Sequence, residues 1–319
     1  MQVRIDRTRV ERVGEVLGGL PAVAPADFTP GCMGPDLFPA VGDPAALDFF
    51  CAVTLHQYGF WSDDGAGYVE PYFGMLDGRL RKGAEFMFRA YLRAAQADPR
   101  FLAPERQAEL RAGELSWVLA EDDGECRIPM FESHLELAKG CGRHFVEHGT
   151  GPAALIAAAN ASPHPYESFV FSFGRVPGYA EDPLRKKLSL LAIMLKNRPE
   201  RFLEIGSADL RPVVDYHVQR TFLRTGMVEI DDTALRSRVA ARRFLAAAEE
   251  ETIRRAVFDA VDMLCAVSHK DVAGIDWFFF SLRRKCYEMQ APDCASCAVD
   301  AVCGHHVELF HPIVRTTFY

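Results

Sequence analysis

Residues 286 to 303 read C-YEMQAPD-C-AS-C-AVDAV-C, which sets four thiols at Cys286, Cys294, Cys297 and Cys303 with gaps of seven, two and five residues. One loop of that length can wrap four soft ligands around a single inorganic centre. Thiolates without accompanying carboxylates select zinc or an iron–sulfur cluster over hard cations, and four cysteines are the usual complement of a [4Fe–4S] cube. A Cys₄ zinc site more often shows two separate C-x-x-C knuckles. Here only Cys294 and Cys297 form such a pair, so a [4Fe–4S] cluster is the expected occupant and zinc the less favoured one.

Outward from this loop the chain is read as all-α. From Arg79 the apolar residues recur at helical spacing almost without interruption. Phe86, Met87, Ala90, Tyr91 and Ala94 mark one helix, Pro104 to Leu119 reads as a second, and Ile128-Pro129 opens a third that runs toward His148-Gly149. Later helices are expected through Leu184 to Leu195, near Phe202, from Pro212 to Thr225 and from about Ala241 to Val267. In the last, Ile253, Val257, Val261 and Leu264 form the apolar face, and Glu249, Glu250, Arg254 and Arg255 lie outside it. Asp43-Pro44 opens an earlier helix, from about Ala45 to Tyr58. The run 161–182, with FVFSF inside it, reads as an extended piece or a loop. Residues 58–73, rich in Tyr, Phe, Trp, Gly and Asp, read either as a loop folded over its own core or as a stacking wall for a planar ring.

Composition narrows the class. With 319 residues, 49% of them hydrophobic, the chain can bury a sizeable core as one domain or two lobes. Nine cysteines are an odd number in a chain too long to need disulfide staples, and MQVRIDRTRVERVGEVL lacks the apolar core of a signal peptide. A reducing cytoplasm is expected, and no membrane. The formal charge of −8 has the wrong sign for a protein that must grip a phosphate backbone across many contacts.

The second informative stretch is RPVVDYHVQRTFLRTGMV, residues 211 to 228. Asp215 stands at the start of a helix whose Val218, Phe222 and Leu223 face inward. A carboxylate there is ordinarily a partner for free N–H groups and the helix dipole. The company of Tyr216, His217 and a downstream cysteine loop raises a catalytic alternative.

The segment VVDYHVQRTFLRTGMV, followed by IDWFFFSLRRKCYEMQAPDCASCAVDAVC, resembles the second half of the helix-hairpin-helix DNA glycosylases of the endonuclease III type, which carry a catalytic Asp in a V-D-x-H-V run and a terminal iron–sulfur loop. The first cysteine gap is one residue longer than in that family, the Gly-rich DNA-gripping hairpin is replaced by PERFLEIGSADLRP, and Asn197 stands near the offset of the Schiff-base lysine. Over most of its length the chain also resembles the queuosine 5′-phosphate N-glycosylases. Ile128-Pro129, Lys186-Lys187, Asp215-Tyr216, Leu223 to Gly226, Glu251 with Ile253-Arg254, Ile275 to Trp277 and the terminal HPIVRTTFY carry this likeness. The departures are DYH in place of DYR at the acid and the added cysteine loop. The resemblance implies a two-lobed, DNA-glycosylase-like helical unit, with lobe A at about 1–170, lobe B at about 171–275 and an iron–sulfur loop at 276–319. It also implies a cytosolic N-glycosidase that releases a base, such as queuine, from a small nucleoside or nucleotide.

Cleaving an N-glycosidic bond builds positive charge on the sugar, so a carboxylate below the ring is required. Asp215 is the candidate. Trp61, Tyr68, Tyr216 and His217 are the groups available to sandwich or hydrogen-bond the leaving base. Lys186, Lys187 or His144 would hold a 5′-phosphate. Two alternatives stay open. One is a base-excision glycosylase acting on duplex DNA, for which Arg283, Arg284 and Lys285 beside the loop speak. The other is an inactive iron–sulfur protein that binds nucleic acid.

Overall fold

The computed structural model describes residues 3–21 and 25–319. Its elements begin with β1 (Val3–Ile5), α1 (Arg7–Gly19), α2 (Ala46–Thr54), β2 (Trp61–Asp63), β3 (Tyr68–Pro71), β4 (Phe73–Leu76) and β5 (Arg79–Lys82). Helices α3 (Gly83–Ala97), α4 (Pro104–Ala108), α5 (Ala112–Val118), α6 (Phe131–Glu147), α7 (Pro152–Asn160), α8 (Pro165–Phe173) and α9 (Lys186–Asn197) follow. The chain continues with α10 (Tyr216–Thr225), β6 (Val228–Ile230), α11 (Thr233–Ala240), α12 (Ala247–Ser268) and α13 (Val272–Leu282). Among the described residues helices dominate and the strands are short, which agrees with the mainly helical reading. No helix among them is long and apolar enough to cross a membrane.

Several stretches differ from their sequence reading. FVFSF is helical and belongs to α8, where Pro165 sits at the first helical position and the buried Phe169 and Phe173 stand one turn apart. The helix expected over Pro104 to Leu119 is two, α4 and α5. Glu114 accepts from the backbone N–H of Arg111 at 2.9 Å and so caps a fresh helix start after the break. The aromatic run after Tyr58 contains β2, β3 and β4, and residues 202–203 form a bend instead of a helix.

The chain divides into two compact units that interleave along the sequence. The first takes in Met1–Pro25, Asp63–Glu70 and Leu210–Arg315. Its core is organised on α12, whose Ile253, Val257, Val261 and Leu264 are buried with Val10, Val13 and Leu17 of α1, Phe222 of α10 and Phe279 of α13. Each such side chain contributes roughly 1.5–3 kcal/mol on leaving water. β1 and β6 add an antiparallel ribbon with Val3 opposite Ile230 and Ile5 opposite Val228. Asp6 then caps α1 by accepting from the N–H of Arg9 at 2.9 Å.

Glu250 and Arg254 correct the sequence reading of α12. Both are buried, one turn apart on the same side of the helix as Val257 and Val261, where Arg254 Nε donates to Val214 O at 3.1 Å and Gln219 Nε2 donates to Glu250 Oε1 at 3.4 Å. Charge can enter the interior only with such partners.

The second unit comprises Ala26–Ser62, Pro71–Asp209 and Thr316–Tyr319. In it α2 packs on α3, α7 and α9, and α4 on α6. Fully buried Arg198, just past α9, orders the irregular Pro/Gly-rich segment before α2. Its guanidinium donates to Phe28 O at 2.7 Å, Pro39 O at 3.1 Å and Ala40 O at 3.1 Å.

Candidate active site and metal centre

Helix α10 carries the candidate site on both of its ends. Pro212 fixes the approach, Val213 and Val214 bury, and the chain turns into the helix at Asp215, whose backbone is extended (φ −107°, ψ −174°). Asp215 Oδ1 accepts from the backbone N–H of His217 at 2.8 Å and of Val218 at 3.0 Å. These are the bonds of an ordinary N-cap. Both fall on one oxygen, so Oδ2 carries no hydrogen bond among the described residues, on a half-buried carboxylate held at the positive end of the helix.

His217 is buried, and its Nδ1 lies 3.0 Å from Glu288 Oε1. The same oxygen accepts from Arg220 at 3.3 Å. Burial pulls the imidazole below its usual range, and the bond to Glu288 only partly offsets this. Neutral His217 therefore donates from Nδ1–H to Glu288, which leaves Nε2 as an acceptor. The ring of Tyr216 lies 4.1 Å from that of His217 and 5.1 Å from that of His311, and Tyr68 reaches His311 at 5.9 Å while its hydroxyl donates to Val314 O at 2.9 Å. Asp215, Tyr216, His217 and Tyr68 thus belong to one unit, with aromatic rings linked through His311.

The C-terminal end of α10 meets the cysteine loop. Gly226 takes the left-handed conformation (φ +77°) that stops the helix, where a side chain would be strained. The carbonyls orphaned there are satisfied by the loop itself: Gly304 N donates to Thr225 O at 2.8 Å and His306 N to Arg224 O at 2.9 Å. Cys286, Cys294, Cys297 and Cys303 all line one small pocket against Thr221 and Arg224. Arg224 donates to Cys286 Sγ at 3.4 Å, and the N–H of His305 donates to Cys303 Sγ at 3.4 Å. Donors aimed at sulfur suit thiolate ligands. Burial pushes the Cys294, Cys297 and Cys303 thiols up, with neighbouring acids and thiols adding to it, a burden that a bound cation would lift. In the same loop one atom each of Cys294, Asp300 and His305 lie mutually within 4.8 Å, so this group could hold a metal ion. Asp300 Oδ1 and His305 Nε2 already stand 2.7 Å apart.

The other candidates lie in the second unit. Trp61 is buried there. Lys186 and Lys187 are buried as well, and their ammonium groups donate to Gln57 O and Leu55 O, each at 2.9 Å, just past the end of α2. Cations at those carbonyls complement the negative end of a helix. Burial, with Lys186 beside it, pulls Lys187 down to about 7. His144 is a surface residue of α6, stacked on His148 at 4.3 Å.

The sequence reading gives no role in the site to Glu288, Arg220, Arg224, Asp300 or His305. Arg220 and Arg224 stand one turn apart on α10, both facing the loop, and the i, i+4 spacing of two arginines on the helix that begins at Asp215 was the available signal. Glu288 had none. No protein-family model matches the chain, and no curated protein matches it significantly.

Proposed function

We propose that this chain is an N-glycosidase that hydrolyses the base–sugar bond of a small modified nucleoside or nucleotide of the queuosine 5′-phosphate kind, with Asp215 as the catalytic carboxylate. The observation that carries the reading is the division of labour on that carboxylate: Oδ1 is spent on the helix cap, and Oδ2 is left for substrate. The positive end of the helix lies beside that carboxylate. A fixed negative charge of this kind stabilises the oxocarbenium-like sugar as the base departs, and it can steer water to the anomeric carbon. Tyr216 and Tyr68 offer aromatic faces for the leaving base, and His217 Nε2 offers an acceptor.

The loop is proposed to hold a [4Fe–4S] cluster. All four thiols line one pocket, as a cluster that takes one thiolate on each of four irons requires, and only Cys294 and Cys297 form the C-x-x-C pair that a Cys₄ zinc site more often shows twice. When bound, the cluster supplies a cross-link between the loop and the end of α10.

The DNA-repair alternative rests on the basic run after α13. Lys285 Nζ is occupied by Ser296, at 2.7 Å to its O and 2.8 Å to its Oγ, and the Arg283 guanidinium lies 4.1 Å from the centre of the Phe280 ring. Of the three only Arg284 stands exposed, which is little for gripping a duplex.

The test is Asp215→Asn, assayed on queuosine 5′-phosphate, on other nucleosides and nucleotides, and on duplex DNA carrying damaged bases. Asn keeps the cap, so stability should stay within about 1 kcal/mol. Removing the charge should cost about a hundredfold or more in kcat with little change in KM. Survival of activity in the variant would make Asp215 a cap and nothing more.

A further inference from the structure

We infer that Glu288 is a positioning residue through which metal occupancy of the cysteine loop sets the orientation of His217 beside Asp215. This rests on the reading of Asp215 as the catalytic carboxylate and adds to it a path from loop to site.

Glu288 follows the first loop cysteine by two positions and is buried. A buried carboxylate is kept only with charged or hydrogen-bonding partners. Here those partners come from successive turns of α10: His217 Nδ1 at 3.0 Å and the Arg220 guanidinium at 3.3 Å. Arg220 also donates to Cys286 O at 3.3 Å, and Arg224 to Tyr287 O at 2.6 Å and to Cys286 Sγ at 3.4 Å. Residues 286–288 are therefore pinned along one face of α10, and their first member is a candidate metal ligand.

His217 joins the two ends of this path. Its backbone N–H donates to Asp215 Oδ1, and its ring donates to Glu288. If the loop loses its metal and Cys286 is released, Glu288 withdraws. Fully buried Arg220 then loses its only anionic partner among the described residues, and the imidazole loses the acceptor that fixes its tautomer. The consequence falls on Nε2, which becomes an acceptor only part of the time.

The experiment follows the ring directly. Holoprotein purified without oxygen is labelled with ¹⁵N-histidine, and the His217 resonances are assigned by their absence in His217→Gln. Long-range ¹H–¹⁵N spectra should show a single Nδ1–H tautomer in the wild type. Glu288→Ala should keep its iron but show a tautomer mixture, and its kcat should fall about tenfold or more with KM within about threefold. Removing the metal from the wild type with a chelator should give the same mixture. That arm decides the matter if Glu288→Ala fails to fold. An unchanged Nδ1–H tautomer after chelation of the wild type, or in the folded Glu288→Ala variant, overturns the inference. The tautomer readout does not depend on catalysis, so an active Asp215→Asn would discard the catalytic assignment and leave the link from loop to imidazole standing.

Discussion

At the scale of single residues, burial decides what a charge can do. Asp215 sits half-buried at a helix start and can spend one oxygen on the cap and keep the other, whereas Lys187 is sealed in the second unit with its ammonium on Leu55 O and over the Tyr58 ring at 4.7 Å. The folded chain disfavours the charged form of Lys187, whose value drops from 10.5 to about 7. Between those limits the unfolded chain binds the extra proton, so this residue makes stability rise with pH across that window. Below it both states are protonated and the contribution is constant. Urea unfolding of the wild type and Lys187→Met at about pH 7 and about pH 9 should show the wild type gaining about 2 kcal/mol more than the variant over that interval. Equal gains would mean that Lys187 stays charged inside the fold.

Helices pack where small residues let them, and two glycines give opposite expectations. Gly142 of α6 faces α4 so closely that an added Cβ would lie 2.4 Å from Ala108 N and 2.6 Å from Pro104 O, both backbone atoms that cannot swing aside. Gly142→Ala gains helix propensity of roughly 1 kcal/mol but forces the helices apart, and overpacking of this kind costs about 1–3 kcal/mol or more. A net loss of stability is expected. Gly113 of α5 has nothing within 4 Å of its Cβ position, so Gly113→Ala should be neutral or stabilise by up to about 1 kcal/mol. Thermal unfolding of both variants checks the pair, and a Gly142→Ala protein at least as stable as the wild type would contradict the packing described.

For the whole molecule, the loop is the feature whose chemistry can be read by eye. Purified without oxygen, the protein should be brown, absorb broadly near about 400 nm and contain about four irons per chain. A colourless protein carrying one zinc would replace the cube with a single-ion site, for which Cys294, Asp300 and His305 already stand together. Replacing Cys32, Cys51, Cys126, Cys141 or Cys265, which lie outside the loop, should leave the colour unchanged.

The sequence by itself determined the mainly helical class, the apolar face of α12, the helix start at Asp215 and the grouping of four cysteines, because each is written in local spacing. It could not show that FVFSF is helical, since alternating and helical apolar patterns look alike over five residues and only the burial of Phe169 and Phe173 in the folded chain decides between them. Nor could it divide the chain, because the two units draw on separated segments, with Asp63–Glu70 belonging to the first amid stretches of the second. The burial of Glu250, Arg254, Arg220 and Glu288 was decided only by tertiary structure. A charged residue reads as exposed until its partner is known, and these partners lie 31 residues away for Gln219–Glu250, 40 for Val214–Arg254 and 68 for Arg220–Glu288. Long-range pairing of that kind leaves no periodic trace along the chain, which is why the four thiols were legible and the carboxylate that ties them to His217 was not.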